Sequence, residues 1–144
     1  MKIKHKERGQ SLVELAISLT ILIYLLSGAI EFGIAFFQFV QLRDAAQEGA
    51  LYASLHPAES ANIIARARAA STSPIDLSVT TGPHAVTVTP VLIGSACEGI
   101  GNAIEVTVSY NHQIFMPFIS TVVGSSTIPL SAKVTDTILQ PPCP

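Results

Sequence analysis

The stretch GQSLVELAISLTILIYLLSGAIEFGIAFFQFV, residues 9–40, decides the architecture of this 144-residue chain. Between Leu15 and Leu42 the only charged side chain is that of Glu31. A helix rises about 1.5 Å per residue, so this run is long enough to cross a hydrocarbon layer of about 30 Å. The run therefore predicts a single transmembrane helix.

The charges on either side of this run predict its orientation. Four of the eight Lys and Arg residues lie within the first eight positions, and such a basic stub is expected to stay in the cytoplasm. The chain should then cross the cytoplasmic (inner) membrane once, with its N-terminus inside and its C-terminal head outside. Residues 43–144 hold four basic and seven acidic side chains. This balance excludes a basic surface for nucleic acid.

A glycine and a glutamate stand where the apolar run begins. A cut between Gly9 and Gln10 would make Glu14 the fifth residue of the shortened chain. Glycine lets an extended backbone enter a peptidase site, and an acid at the head of a helix suits the positive end of its dipole. This pattern resembles the type IV prepilin processing site. The resemblance implies that a prepilin peptidase removes the basic leader and that Glu14 pairs with the N-terminal ammonium of a neighbouring subunit.

Other interpretations of the N-terminal region stay open at this point. A secretory signal peptide would be cut after Ser27-Gly28-Ala29, which would leave a strongly apolar N-terminus on a soluble protein. An uncut helix would simply tether the head to the membrane, with Glu14 at the interface, where an acid is tolerated. Glu14 and Glu31 are 17 residues apart, about 25 Å along a helix, which is the spacing expected if the two carboxylates mark the two edges of the bilayer.

After Gln41 the apolar residues follow a one-sided stripe at helical spacing. Gly49 lies on this stripe although glycine costs about 1 kcal/mol relative to alanine inside a helix, which indicates close approach of a partner backbone. We expect one helix from about Leu12 to Leu55, ending before Pro57. The stripe consists of Leu42, Ala45, Ala46, Gly49, Tyr52, Ala53 and His56.

Two motifs on this helix resemble the TadE-like family of pseudopilins. They are GAIEFG at residues 28–33 and AAQEGALYA at residues 45–53. The glutamates and glycines of this membrane and stalk motif are Glu31, Gly33, Glu48 and Gly49. The chain departs from the family pattern at Gln47 and Leu51, where the family usually carries arginine.

This resemblance implies the fold and the function. The implied function is that of a minor pseudopilin in the assembly of a tight-adherence (Flp) type IV pilus, with other pilins and the assembly platform as partners. The alternative is an uncleaved, membrane-tethered binding or scaffolding protein. The implied organisation is a leader (residues 1–9), a long helix (10–56) and an external head (57–144).

The head is predicted to be an antiparallel sheet covered by the amphipathic part of the long helix, a pilin-like α+β fold. Pro57 at the first helical position predicts a second helix from Pro57 to about Ala70. Beyond it, apolar and polar residues alternate in four or five strands, with turns at Gly82-Pro83 and Asn111-His112. One strand is expected over residues 75–79, and Pro90 and Pro129 indicate edge strands.

Chemistry-bearing residues are few. The four histidines lack metal-ligand spacing, and no hydrolase, phosphate-binding or zinc-protease motif occurs. We therefore expect neither an enzyme nor a metal, cofactor or small-molecule substrate. Cys97 and Cys143 favour one disulfide in an exported head, as pilin heads commonly carry; a free Cys97 beside His84 or His112 is the alternative.

Overall fold

A computed structural model describes residues 7–97 and 99–139 of the chain. One very long helix leads into a small head in which two short helices accompany a three-stranded antiparallel sheet. This is the α+β arrangement that the sequence predicts. The elements are α1 (Glu7–Leu55), α2 (Ser60–Ala69), β1 (Val86–Ile93), β2 (Ala103–Gln113), α3 (Pro117–Val123) and β3 (Thr127–Thr137).

Helix α1 contains 49 residues, which corresponds to a length of about 73 Å. Every side chain from residue 9 to residue 26 is exposed, although this part is apolar enough to span a membrane. From Ser27 onward the head covers one face of the helix. The apolar N-terminal half of α1 is thus a single-pass membrane anchor, and its C-terminal half is part of the head.

The sheet has the strand order β1-β2-β3, so β2 is central and the proline-bearing strands are both edges, as predicted. Pro90 pairs with Val106, and Pro129 pairs with Asn111. The inner face packs against α1 and α2. The buried apolar side chains of this face are Val86, Val88, Ile104, Val106, Val108, Tyr110 and Ala132.

Gly49 lies where α1, α2 and β2 approach each other most closely. A Cβ atom built on Gly49 would lie 3.1 Å from Ala67 Cβ and 3.2 Å from Val106 Cγ1. Those distances leave no ordinary van der Waals space for a side chain. Close packing at Gly49 is present, but the two nearest atoms belong to side chains of the same chain's head, and the backbone oxygen of Ile63 lies at 3.7 Å.

The second helix begins at Ser60, so the prediction that Pro57 occupies its first position is wrong. Pro57 is a buried residue of the turn between the two helices. Glu59 precedes α2 and accepts hydrogen bonds from Asn62 Nδ2 and Tyr52 Oη, each at 2.7 Å. These bonds, first from Asn62 and then from Tyr52, lower the pKa of Glu59 below its ordinary value. The Glu59 carboxylate therefore connects the turn to both α1 and α2.

The strand predicted over residues 75–79 is absent from the structure, although Ile75 and Leu77 are buried. Side chains of α1 and α2 make the backbone hydrogen bonds that a neighbouring strand would make. Gln41 Oε1 accepts the Ile75 backbone N–H at 3.2 Å, and Arg68 donates to the Leu77 carbonyl at 3.3 Å. Since these contacts satisfy backbone groups that a ladder would otherwise pair, the segment is buried as a loop.

Two further differences concern the sheet. The predicted turn at Asn111-His112 is wrong, because both residues continue β2 and pair with β3. Helix α3, which joins β2 to β3, is not predicted by the sequence pattern. The turn at Gly82-Pro83 is present. The division into segments 1–9, 10–56 and 57–144 stays a prediction, and α1 continues without interruption through Gly9 and Gln10.

Candidate functional site

A buried polar cluster joins the head to α1 just beyond the bare apolar half of the helix. Glu31 is 3% exposed and His112 is fully buried. Glu31 Oε1 lies 2.6 Å from His112 Nε2, and Gln38 Oε1 lies 2.6 Å from His112 Nδ1. The carboxylate also accepts the backbone N–H groups of Phe115 at 3.2 Å and of Met116 at 2.9 Å. Glu31 therefore binds β2, the start of α3 and, through His112, its own helix.

The cluster is fully hydrogen-bonded. Each nitrogen of the His112 ring lies 2.6 Å from an oxygen, one of Glu31 and the other of Gln38. No buried side-chain nitrogen or oxygen in the described part of the chain is left without a hydrogen bond. The cluster is therefore a satisfied buried pair whose two members come from distant parts of the sequence.

The helical repeat explains why α1 presents these two side chains to the head. Gln38 follows Glu31 by seven residues, and Leu42, Ala45 and Gly49 continue the same face. The buried stripe thus begins at Glu31 and not at Leu42. The helical spacing of Glu31 and Gln38 with the buried stripe could have predicted that both side chains face the head. The sequence around His112 does not indicate a buried partner, because Asn-His between two apolar runs is typical of a turn.

The opposite face of α1 beyond Glu31 is apolar and exposed. Phe32 is 71% exposed and Phe37 61%. A groove of about 400 Å³ runs between this part of the helix and the head. Its walls are almost entirely apolar, and they are lined by Gly28, Glu31, Phe32, Ala35, Phe36, Phe39, Ile119, Ile128 and Leu130.

The residues predicted for processing and assembly lie at the other end of α1. Gly9, Gln10 and Glu14 are helical and exposed. No ion pair of Glu14 occurs within residues 7–97 and 99–139. Residues 1–6 of the predicted leader lie outside the described residues.

The remaining motif residues divide between surface and core. Gly33 is exposed with open space around it, whereas Gly49 is buried. Glu48 forms a surface ion pair with Arg66 at 3.1 Å. Gln47 and Leu51, the two departures from the family pattern, are both exposed. They leave the head's packing unchanged and alter only its surface.

The predicted disulfide is not tested by the structure. Cys97 lies in the connection between β1 and β2, and Cys143 lies outside the described residues. Among the residues that are described, no group of three His, Cys, Asp or Glu side chains is placed to hold a metal ion.

A comparison with known families tests the resemblance that the motifs indicate. Residues 9–51 match the TadE-like protein family. The predicted resemblance is confirmed over that segment, which contains the bare apolar half of α1, Glu31, Gln38 and Gly49. The TadE-like segment ends four residues before α1 does, so the rest of the head lies beyond the match. No curated protein and no solved structure gives a significant match.

Proposed function

We propose that this protein is a minor pseudopilin that takes part in assembling a tight-adherence (Flp) type IV pilus. The TadE-like match indicates involvement in such a pilus system. The observation that carries the finer proposal is the uncovered apolar helix with Glu14 at the fifth position after Gly9. A helix that is apolar all round and bare in the monomer needs lipid or other subunits around it.

The proposed mechanism is structural. The precursor enters the membrane with its basic leader in the cytoplasm, and the peptidase cuts between Gly9 and Gln10. The freed helix then moves from lipid into contact with neighbouring subunits, where Glu14 pairs with a new N-terminal ammonium. An unpaired charge inside an apolar filament core would be costly, at least roughly 2.5 to 3.5 kcal/mol on membrane-insertion scales.

Cleavage requires the first turns of α1 to open. Gly9 and Gln10 lie within α1, whereas a peptidase site takes an extended backbone. Gly9 weakens the helix at the cut by about 1 kcal/mol relative to alanine. Because no other part of the described chain covers this end, opening the first two turns breaks no tertiary contact.

The exposed groove beside Phe36 and Phe39 supports a role in subunit contact. It begins at Gly28, where the membrane anchor meets the head. In the proposed assembly a neighbouring apolar helix covers this groove and the adjacent phenylalanine side chains. The head would lie on the opposite side of the membrane from the leader.

The proposal is tested with three variants of the full chain in cells that assemble the pilus. Gly9→Val should accumulate the uncut precursor. Glu14→Ala should be cut normally but should reduce pilus assembly about tenfold or more, because the charge pairing in the filament core is lost. Ser18→Ala, one turn further along the same bare helix, is the matched control and should assemble normally.

Two results would contradict the proposal. Normal piliation with Glu14→Ala would remove the pairing role. A wild-type protein that keeps its leader while pili form normally would favour the uncut, membrane-tethered scaffold.

A further inference from the structure

Helix α3 lies beside the part of α1 that belongs to the membrane anchor. The ring centroids of Phe118 and Tyr24 are 4.9 Å apart in an edge-to-face contact. One turn further along α1, a Cβ atom built on Gly28 would lie 3.8 Å from Ile119 Cδ1. Helix α3 therefore packs against residues 24–28, which lie closer to the N-terminus of α1 than the Glu31 cluster does.

This position gives α3 a depth relative to the membrane. Residues 12–30 span about 28 Å as a helix, close to the hydrocarbon thickness of about 30 Å. Glu31 then stands at the boundary on the head's side. Tyr24 and Gly28 lie roughly 5 to 10 Å below Glu31 along the helix axis, which is the depth that interfacial elements reach in a bilayer.

The composition and exposure of the segment fit that depth. Residues 114–132 contain no charged side chain. Four large apolar side chains in or next to α3 are at least 46% exposed and do not belong to the buried core of the head. Their exposed fractions are 64% for Phe115, 46% for Phe118, 78% for Val122 and 50% for Val123.

We infer that α3 is a second membrane contact, which inserts its apolar side chains into the leaflet on the head's side, next to the anchor. Glu31 holds the segment at this level because its carboxylate accepts the backbone N–H of Met116, the residue that precedes α3. The apolar patch of α3 is continuous with the bare surface of α1 through Tyr24. A lipid leaflet is thus the partner that covers both surfaces at once.

This inference rests on membrane anchoring and not on pilus assembly, so it is independent of cleavage after Gly9. It implies that the head does not swing freely on its helix. The head is held against the bilayer at two points, α1 and α3.

The absence of tryptophan from the sequence allows a direct test. Val122→Trp introduces a single indole at the most exposed apolar position of α3. The matched control is Ile100→Trp, which places the indole in the exposed β1–β2 connection. That connection lies at the opposite end of β2 from His112, about 30 Å along the strand. Both full-length variants are reconstituted at a low protein-to-lipid ratio into phosphatidylcholine vesicles that carry bromine at defined acyl positions.

The expected result is blue-shifted emission of Val122→Trp and about a twofold loss of that emission in vesicles brominated at shallow acyl positions. Ile100→Trp should emit as in water and should respond only to iodide in solution. Phe115→Trp provides a second position on the same patch and should behave like Val122→Trp.

Equal behaviour of the α3 variants and the Ile100→Trp control would overturn the inference. It would also be overturned if the blue shift occurred without quenching by brominated lipid and disappeared on dilution into more lipid. That outcome would assign the patch to contact between copies of the chain.

Discussion

At the scale of single residues, Glu31 makes the hydrogen bonds that connect the membrane anchor to the head. Its carboxylate contacts His112 and two backbone N–H groups, all of them more than 80 positions away in the sequence. Removal of this carboxylate leaves the His112 ring nitrogen and the two backbone N–H groups without their partner, and each buried polar group left unsatisfied costs about 1 to 3 kcal/mol. Loss of Glu31 should therefore be far more damaging than loss of an exposed glutamate on the same helix.

We predict that Glu31→Ala lowers the free energy of unfolding of the head by about 3 to 5 kcal/mol, because three groups lose the carboxylate as their hydrogen-bond partner. The matched control, Glu48→Ala, removes the surface ion pair with Arg66 and should cost no more than about 1 kcal/mol. Chemical denaturation of both full-length variants in detergent micelles, followed by circular dichroism, measures the difference. Equal losses for the two variants would show that the buried pair does not hold the head to α1.

Some of the contacts between α1 and the head can be predicted from the sequence, and others cannot. Glycine at position 49 on an apolar stripe is enough to predict close packing, because helical spacing is a local property. The pairing of Glu31 with His112 is not local, since 81 positions separate the two residues. An acid after a long apolar run is also expected at a membrane boundary, so the sequence alone does not reveal that Glu31 has a partner in the head.

At the scale of elements, the apolar pattern of the sequence predicts the long helices and strands but not the short segments. The alternation in β1, β2 and β3 and the long run of α1 are repeated over many residues, and these elements form as predicted. Residues 75–79 alternate over only one short stretch. Side chains from α1 and α2 pair with their backbone, so the segment has no need of a strand partner. Helix α3 has only seven residues, about two turns, which is too short for a periodic signal.

Gln41 should be the side chain that keeps the 71–75 loop on α1. It bonds Ser71 Oγ and the Ser73 carbonyl and accepts the Ile75 amide. We predict that Gln41→Ala speeds amide exchange at Ile75 about tenfold, since one to two hydrogen bonds contribute about 1.4 kcal/mol to its protection. Hydrogen–deuterium exchange followed by mass spectrometry checks this.

The matched control is Gln47→Ala, which changes an exposed glutamine on the same helix and should leave exchange at Ile75 unaltered. Unchanged exchange in the Gln41→Ala variant would mean that burial of Ile75 and Leu77 alone holds the loop.

At the scale of the whole molecule, the low charge of the sequence has two origins. The anchor is apolar because it is surrounded by lipid or by other subunits. The head is poor in charge because its strands carry serine and threonine outward and because α3 faces the membrane. Cleavage after Gly9 would leave four basic and nine acidic side chains. The near-neutral balance then describes only the precursor.

Mass spectrometry of the N-terminal peptide, on protein isolated from its own membrane, shows whether the anchor is a processed pilin-type helix. We expect a mature chain that begins at Gln10 and retains all of the apolar helix. A chain that begins at Met1 would show an uncut tether, and one that begins at Ile30 would show a removed signal peptide; either result would rule out processing after Gly9.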